Sequence, residues 1–391
     1  MTDKKYIYFD NAASTKPYKE ACDIAMKIAM EDYGNPGSLH EMGNSANLFL
    51  EKARRQILSI LGDSNDRVNP FECIFTSGAS ESNNIAILGA SYSKSSYSKR
   101  LITTTVEHDS VGKVFNKLEA DGFEVIRLNV DKNGQIDWNL FIETLKRGVG
   151  LVSSLYCCNQ NGLLLPIEKM AKLTKQYCPR AYFHTDVTQA VGKVIMKLEN
   201  VDLVSFSGHK IGALRGSGVL LKRKNVVLIP PEVGGGQEMN LRPGTSNTPG
   251  DVSIAVALRI DNQTLADRTE RVKKINGYIR DKLTDEDGII CMSEKESCIP
   301  FVLTYGLKHV RASVMDEFLS SHNIYVSTTS ACDDRLKISN TALRGMGYES
   351  HCADNPIRLS FKGDETIEEV DEFVYWFKEG LKTLHPDDWG E

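Results

Sequence analysis

The chain has 391 residues, 41% of them hydrophobic, and a formal net charge of -5. Single cores seldom grow past roughly 250–300 residues, so two cooperating domains are expected, and the negative balance gives no overall field to hold nucleic acid. Nine cysteines, an odd set without a CxxC pair, exclude a disulfide framework or two-knuckle zinc site, and the lack of an apolar leader or spanning stretch points to a cytoplasmic protein.

After a strand-like YIYFD, the stretch from Pro17 carries Ala21, Ile24, Ala25, Ile28 and Ala29 on one helical face, with Pro17 suited to its first turn. A second helix is expected from Ser45 to Leu61. Short apolar runs then alternate with helical patterns: FECIFTS, RLITTT, EVIRLNV, LVSSLYC, AYFHTD and VDLVSFS. This alternation predicts an α/β fold whose mostly parallel sheet is sandwiched by helices, because strands covered on both faces become nearly continuous apolar runs. SYSKSSYSKR reads as a solvated loop. Beyond residue 256 the order changes to a long polar helical stretch, CIPFVLTY, a helix, NIYVSTTS, PIRLSF and an amphipathic helix from Thr366, which describes a smaller α+β domain. The division expected is 15–255 for the large domain, and 1–14 with 256–391 for the small one.

Chemistry concentrates where apolar runs end. SFSGHK ends in Lys210, an amine that desolvation or a nearby cation would make nucleophilic toward an aldehyde cofactor. AYFHTDVTQ places Asp186 just past a strand, where a carboxylate can keep a pyridine nitrogen protonated; capping a helix is its ordinary alternative. Gln189 is near enough to donate to a phenolic oxygen, or is a surface amide. In FTSGASESNN a strand passes into a helix through Ser77, Gly78, Ala79 and Ser80; free N–H groups and a close-approaching glycine make a phosphate cradle there. Ser80 could instead cap that helix. Ser207 and His209 can reach the same phosphate. His108, directly after RLITTTVE, can stack on the ring and exchange protons, although a lone histidine is commonly structural. No GxxxxGK[ST] motif occurs, and the glycines at 234–236 stand outside any GxGxxG unit.

The strings YFDNAAST, YGNPGSLH, FTSGASESNN, VEHDSV, CNQNG, HTDVTQAVGK, SFSGHK, RPGTSN, STTSAC and IRLSF, in this order, resemble the cysteine desulfurase family. That family belongs to the class V aminotransferase branch of fold-type I pyridoxal-phosphate enzymes. The resemblance covers nearly the whole chain and implies conversion of L-cysteine to L-alanine by a homodimer carrying pyridoxal 5'-phosphate. It implies a Lys210 Schiff base, Asp186 at the pyridine nitrogen, Gln189 and Asn159 near the phenolic oxygen, and His108 on the ring. Phosphate contacts fall to Ala79, Ser80, Ser207 and His209, with Thr245 arriving from the partner subunit. Arg358 would grip the substrate carboxylate, with a surface ion pair as its ordinary alternative, and Asn35 would lie near the substrate. Cys332 in STTSAC resembles the sulfur-accepting cysteine of the group with a long mobile loop, which passes its persulfide to an iron–sulfur scaffold or tRNA-modifying protein.

Departures from the family pattern surround that cysteine. Thr329 replaces a hinge glycine, and Asp333 and Asp334 follow Cys332, where like charge disfavours a thiolate; Arg335 offsets part of this. Ile211, Gly212, Ala213 and Leu214 replace the usual Tyr-Gly-Pro stretch, Gln160 replaces an acid, and Ser80 replaces threonine. The same cofactor scaffold would also suit an aminotransferase, a selenocysteine or C–S lyase, or a non-catalytic sulfur-delivery protein.

Overall fold

The computed structural model describes residues 6–62, 70–328 and 341–384. Seven strands form its main sheet: β2 (Phe71–Thr76), β3 (Arg100–Thr104), β4 (Glu124–Leu128), β5 (Leu151–Leu155), β6 (Tyr182–Asp186), β7 (Leu203–Ser207) and β8 (Gly218–Arg223), after β1 (Ile7–Tyr8). Their order is β2-β8-β7-β6-β5-β3-β4, and β8 alone runs antiparallel to both of its neighbours. Side chains alternate between two cores: Ile74, Leu101, Leu151, Leu203 and Leu220 face one, while Phe75, Ile102, Val152, Phe183, Val204 and Leu221 face the other. Both faces are therefore dry, as the continuous apolar runs require.

The remaining strands are β9 (Ile289–Cys291), β10 (Val302–Leu307), β11 (Ile324–Tyr325) and β12 (Pro356–Ser360). A small antiparallel sheet has the order β12-β10-β9, and β1 pairs in parallel with β11. Phe9 packs edge-on against Phe361 and Phe373, with centroids 5.5 and 5.7 Å away, so the N-terminal segment is fastened to the C-terminal region. Burying one such ring contributes about 1.5–3 kcal/mol.

Several boundaries differ from expectation. The first helix is Lys19–Glu31, and Pro17 precedes its N-cap Tyr18, because Tyr18 stays extended to donate its N–H to Gly212 O at 2.9 Å. Ala29, placed on the buried face by spacing, is exposed. The second helix starts at Glu41 rather than Ser45, capped by the His40 ring, which accepts from Gly43 N at 3.3 Å. The helix Ala79–Lys94 takes in the first half of SYSKSSYSKR, and Ser91 is fully buried. The helix Thr248–Leu283 runs straight through residue 255, where a domain boundary was expected. The closing helix Ile367–Thr383 begins on a capping box between Thr366 and Glu369.

Candidate active site

The parallel strands end together on one edge, and the loops leaving them hold the reactive groups. Directly after β7, a short turn at Gly208–Lys210 brings Lys210 Nζ to the carbonyls of Ala12 and Ala13, at 2.6 and 2.7 Å. Burial, then the cations Arg358 and Lys193, push its pKa down to about 7 against the pull of Asp10 and Asp186. An amine with a large neutral fraction near pH 7 is a competent nucleophile toward a carbonyl.

Asp186 ends β6 and is buried, one carboxylate oxygen accepting Asn83 Nδ2 at 2.8 Å and the other Thr188 N at 2.9 Å. The second contact closes a turn after β6, and the carboxylate is near enough to Lys210 to act on its charge. Gln189 is buried, not a surface amide; it donates to Ala12 O at 3.0 Å. The Ala12 carbonyl thus joins Gln189 and Lys210.

The glycine turn is built by close approach. Gly218 pairs with both Thr76 and Ser207, and a Cβ on it would stand 2.4 Å from the Gly78 backbone. Gly78 is the N-cap of Ala79–Lys94, without a side-chain cap, so Ser80 does not cap this helix. Ala79 N–H donates to Ser207 Oγ at 2.7 Å, and Ser80 is exposed beside it. His209 meets Ser14 Oγ at 3.3 Å, and burial with the nearby Lys210 and Arg215 cations pushes its ring down to about 4.

His108 is the exposed N-cap of Asp109–Ala120. Its Nδ1 accepts Ser110 N–H at 3.1 Å, which leaves Nε2 to carry the proton of the neutral ring. From the small sheet, Arg358 of β12 reaches across to donate to Asn159 O at 2.9 Å and to Asp10 Oδ1 at 3.0 Å. Arg358 is buried and Asp10 half-buried, which corrects the surface alternative, and Arg358 Nε has no partner among the described residues.

Other expected residues stand apart. Asn35 is exposed and bonds locally, its Oδ1 accepting Gly37 N at 2.9 Å. Thr245 is exposed in the segment before Thr248–Leu283. Cys332, with Thr329, Asp333, Asp334 and Arg335, lies outside the described residues. In the stretch after Lys210, Gly212 has φ +81°, and a Cβ there would strike the Tyr18 ring at 2.7 Å.

Sequence reasoning missed Asp10, the Ala12 and Ala13 carbonyls, Asn83 and Glu107. Glu107 is half-buried beside His108, its carboxylate oxygens take Leu155 N–H at 3.0 and 3.1 Å, and desolvation chiefly pushes it up to about 8. Asp10 and Asn83 lie within quoted motifs, but a backbone carbonyl leaves no mark in a sequence.

Residues 7–373 match the family model described as Aminotransferase class-V. A NifS/IcsS protein homolog of Lactobacillus delbrueckii subsp. bulgaricus is 38% identical over 381 residues, covering 95% of this chain and 96% of the relative. Cysteine desulfurase IscS of Dictyoglomus turgidum is 30% identical over 389 residues, covering 98% and 97%. The solved structure of a NifS-like protein superposes with a TM-score of 0.87 at 32% identity, over 97% of this chain and all of the other. With the sheet order, the lysine turn and these matches in agreement, the chain belongs to the class-V aminotransferase family, in the branch whose members are named NifS and IscS cysteine desulfurases.

Proposed function

We propose that the protein is a pyridoxal-phosphate-dependent cysteine desulfurase that converts L-cysteine to L-alanine and passes the sulfur to Cys332 as a persulfide. The carrying observation is Lys210, a half-buried amine drawn down to about 7 beside a buried carboxylate and a buried arginine. The donor set suits a phosphorylated pyridine aldehyde: a glycine cradle at Gly78 and Gly218, and the unpartnered Thr188 Oγ1. When bound, that cofactor supplies an electron sink for the pair left at an amino acid's Cα.

In this reading Lys210 holds the aldehyde carbon and later moves the substrate's Cα proton. Asp186 faces the ring nitrogen, Gln189 and Asn159 the phenolic oxygen, and His108 the ring itself. Gly78, Ala79, Ser80, Ser207 and His209 hold the phosphate, with the partner subunit's Thr245. Arg358 keeps its Nε–H to bind the substrate carboxylate, and Asn35 lies near the substrate. Cys332 thiolate attacks the substrate sulfur: the S–S bond forms, the Cβ–S bond breaks, and the pair left on carbon is protonated to give alanine.

The eight cysteines among the described residues are all free, which supports a reducing compartment such as the cytoplasm. The sulfur acceptor is an iron–sulfur scaffold or a tRNA-modifying protein in this reading. The test is to incubate the cofactor-loaded protein with L-cysteine and a reductant, and to quantify alanine and sulfide beside Cys332→Ala. Equal alanine and sulfide, both lost in the variant, are expected. Product formation that survives in the variant would point to a lyase or aminotransferase instead.

A further inference from the structure

Lys193 ends the HTDVTQAVGK run, is 8% exposed, and has no task in the reaction derived above. Its ammonium donates to Gln189 Oε1 at 2.9 Å. Gln189 Nε2 then donates to Ala12 O at 3.0 Å, and the same carbonyl accepts Lys210 Nζ at 2.6 Å. One chain of contacts thus runs from Lys193 to the reactive amine.

Burying a cation against a neutral amide is costly, and that cost shows as a pKa drawn down to about 8 by burial. The titratable groups that bear on Lys193 are the Cys157 thiol beyond β5, which burial keeps protonated, Asp261 and Arg268 of Thr248–Leu283, and Arg358 of β12. Asp261 is already engaged, by Arg268 at 2.9 Å and by Tyr18 Oη at 2.6 Å. The lysine's charge is therefore not consumed by a local ion pair.

An amide's oxygen and nitrogen edges are nearly the same shape, so packing alone does not choose between them. An ammonium only donates and a carbonyl only accepts, so Lys193 holds the oxygen edge of Gln189 while Ala12 O, the carbonyl shared with Lys210, holds its N–H edge. We infer that Lys193 is a positioning residue that sets Gln189 as a donor toward the reacting end of Lys210 and, as a buried cation, favours the unprotonated nitrogen there. This rests on the reading that Lys210 carries the cofactor.

A cation nearby and a donor facing the ring oxygen both disfavour a protonated nitrogen, so losing either moves the titration the same way, upward. The experiment follows absorbance against pH in the cofactor-loaded protein for the wild type, Lys193→Met and Lys193→Gln. The methionine removes charge and donor; the glutamine keeps a donor and is the milder change if methionine fails to fold. A midpoint about one pH unit higher is expected in the variants, with unchanged far-UV circular dichroism. An unshifted midpoint in either folded variant overturns the inference. Borohydride reduction of the loaded wild type, followed by peptide mass analysis, separates the two levels. Cofactor found on Lys210 without a midpoint shift ends this inference alone, and no cofactor on Lys210 ends the reading beneath it.

Discussion

Glu107 shows how a single half-buried, desolvated carboxyl couples the site to pH. In the fold its carboxyl keeps its proton to about pH 8, against an ordinary 4.5. Between those values the folded protein binds a proton that the unfolded chain has released, so this group's contribution to stability falls as pH rises through the window. Glu107→Gln keeps the shape, the acceptor for Leu155 N–H and a partner for Thr104 while removing the titration. The melting temperature of the variant minus that of the wild type is expected to grow from about pH 5 to about pH 8. A constant difference would show that the carboxyl ionises normally. Glu107 stands inside the VEHDSV string, but its hydrogen bonds follow from where β5 passes, which the string does not show. Lys210, Asp186 and His108 stand out in the sequence because each ends an apolar run.

At the scale of elements, the six strands announced by apolar runs all form, while β8 was overlooked. It follows the lysine turn with no helix between and runs antiparallel, so it lacks the alternation that marked the others. The turn Gln237–Asn240 was equally silent. Glu238, Met239 and Asn240 have φ of 47°, 59° and 62°, three successive left-handed residues without glycine. Each costs roughly 1–2 kcal/mol. The turn is held by a buried pair: Glu238 accepts Arg54 Nη1 at 2.7 Å and Phe75 N at 2.8 Å. Arg54→Met would leave that carboxylate buried without its cation, a loss of about 3–5 kcal/mol. Equilibrium denaturation should report that loss, and limited proteolysis should find faster cleavage near residues 237–247. An unchanged cleavage pattern would mean that the turn is held by other contacts.

On the scale of the whole molecule, β1 pairs with β11, and Phe9 packs on Phe361 and Phe373. We therefore propose that the N-terminal strand belongs with the small domain, joined to the large one by the helix Thr248–Leu283. Exposed apolar side chains at Met30, Tyr33, Leu39 and Val233, the last two 94% and 93% accessible, leave surface for the homodimer that the reading requires. Thr245 is exposed too, so the proposal that it is a phosphate ligand for the other subunit can be tested by mixing chains. Lys210→Ala destroys its own site, and Thr245→Ala alone should weaken cofactor binding at both sites of its dimer. In a hybrid of the two variants, a threonine acting across the interface places both lesions in one site and leaves the other fully native. The hybrid should then hold one cofactor per dimer with wild-type affinity. A threonine acting within its own chain leaves no native site, and the hybrid would bind one cofactor with the weakened affinity of Thr245→Ala.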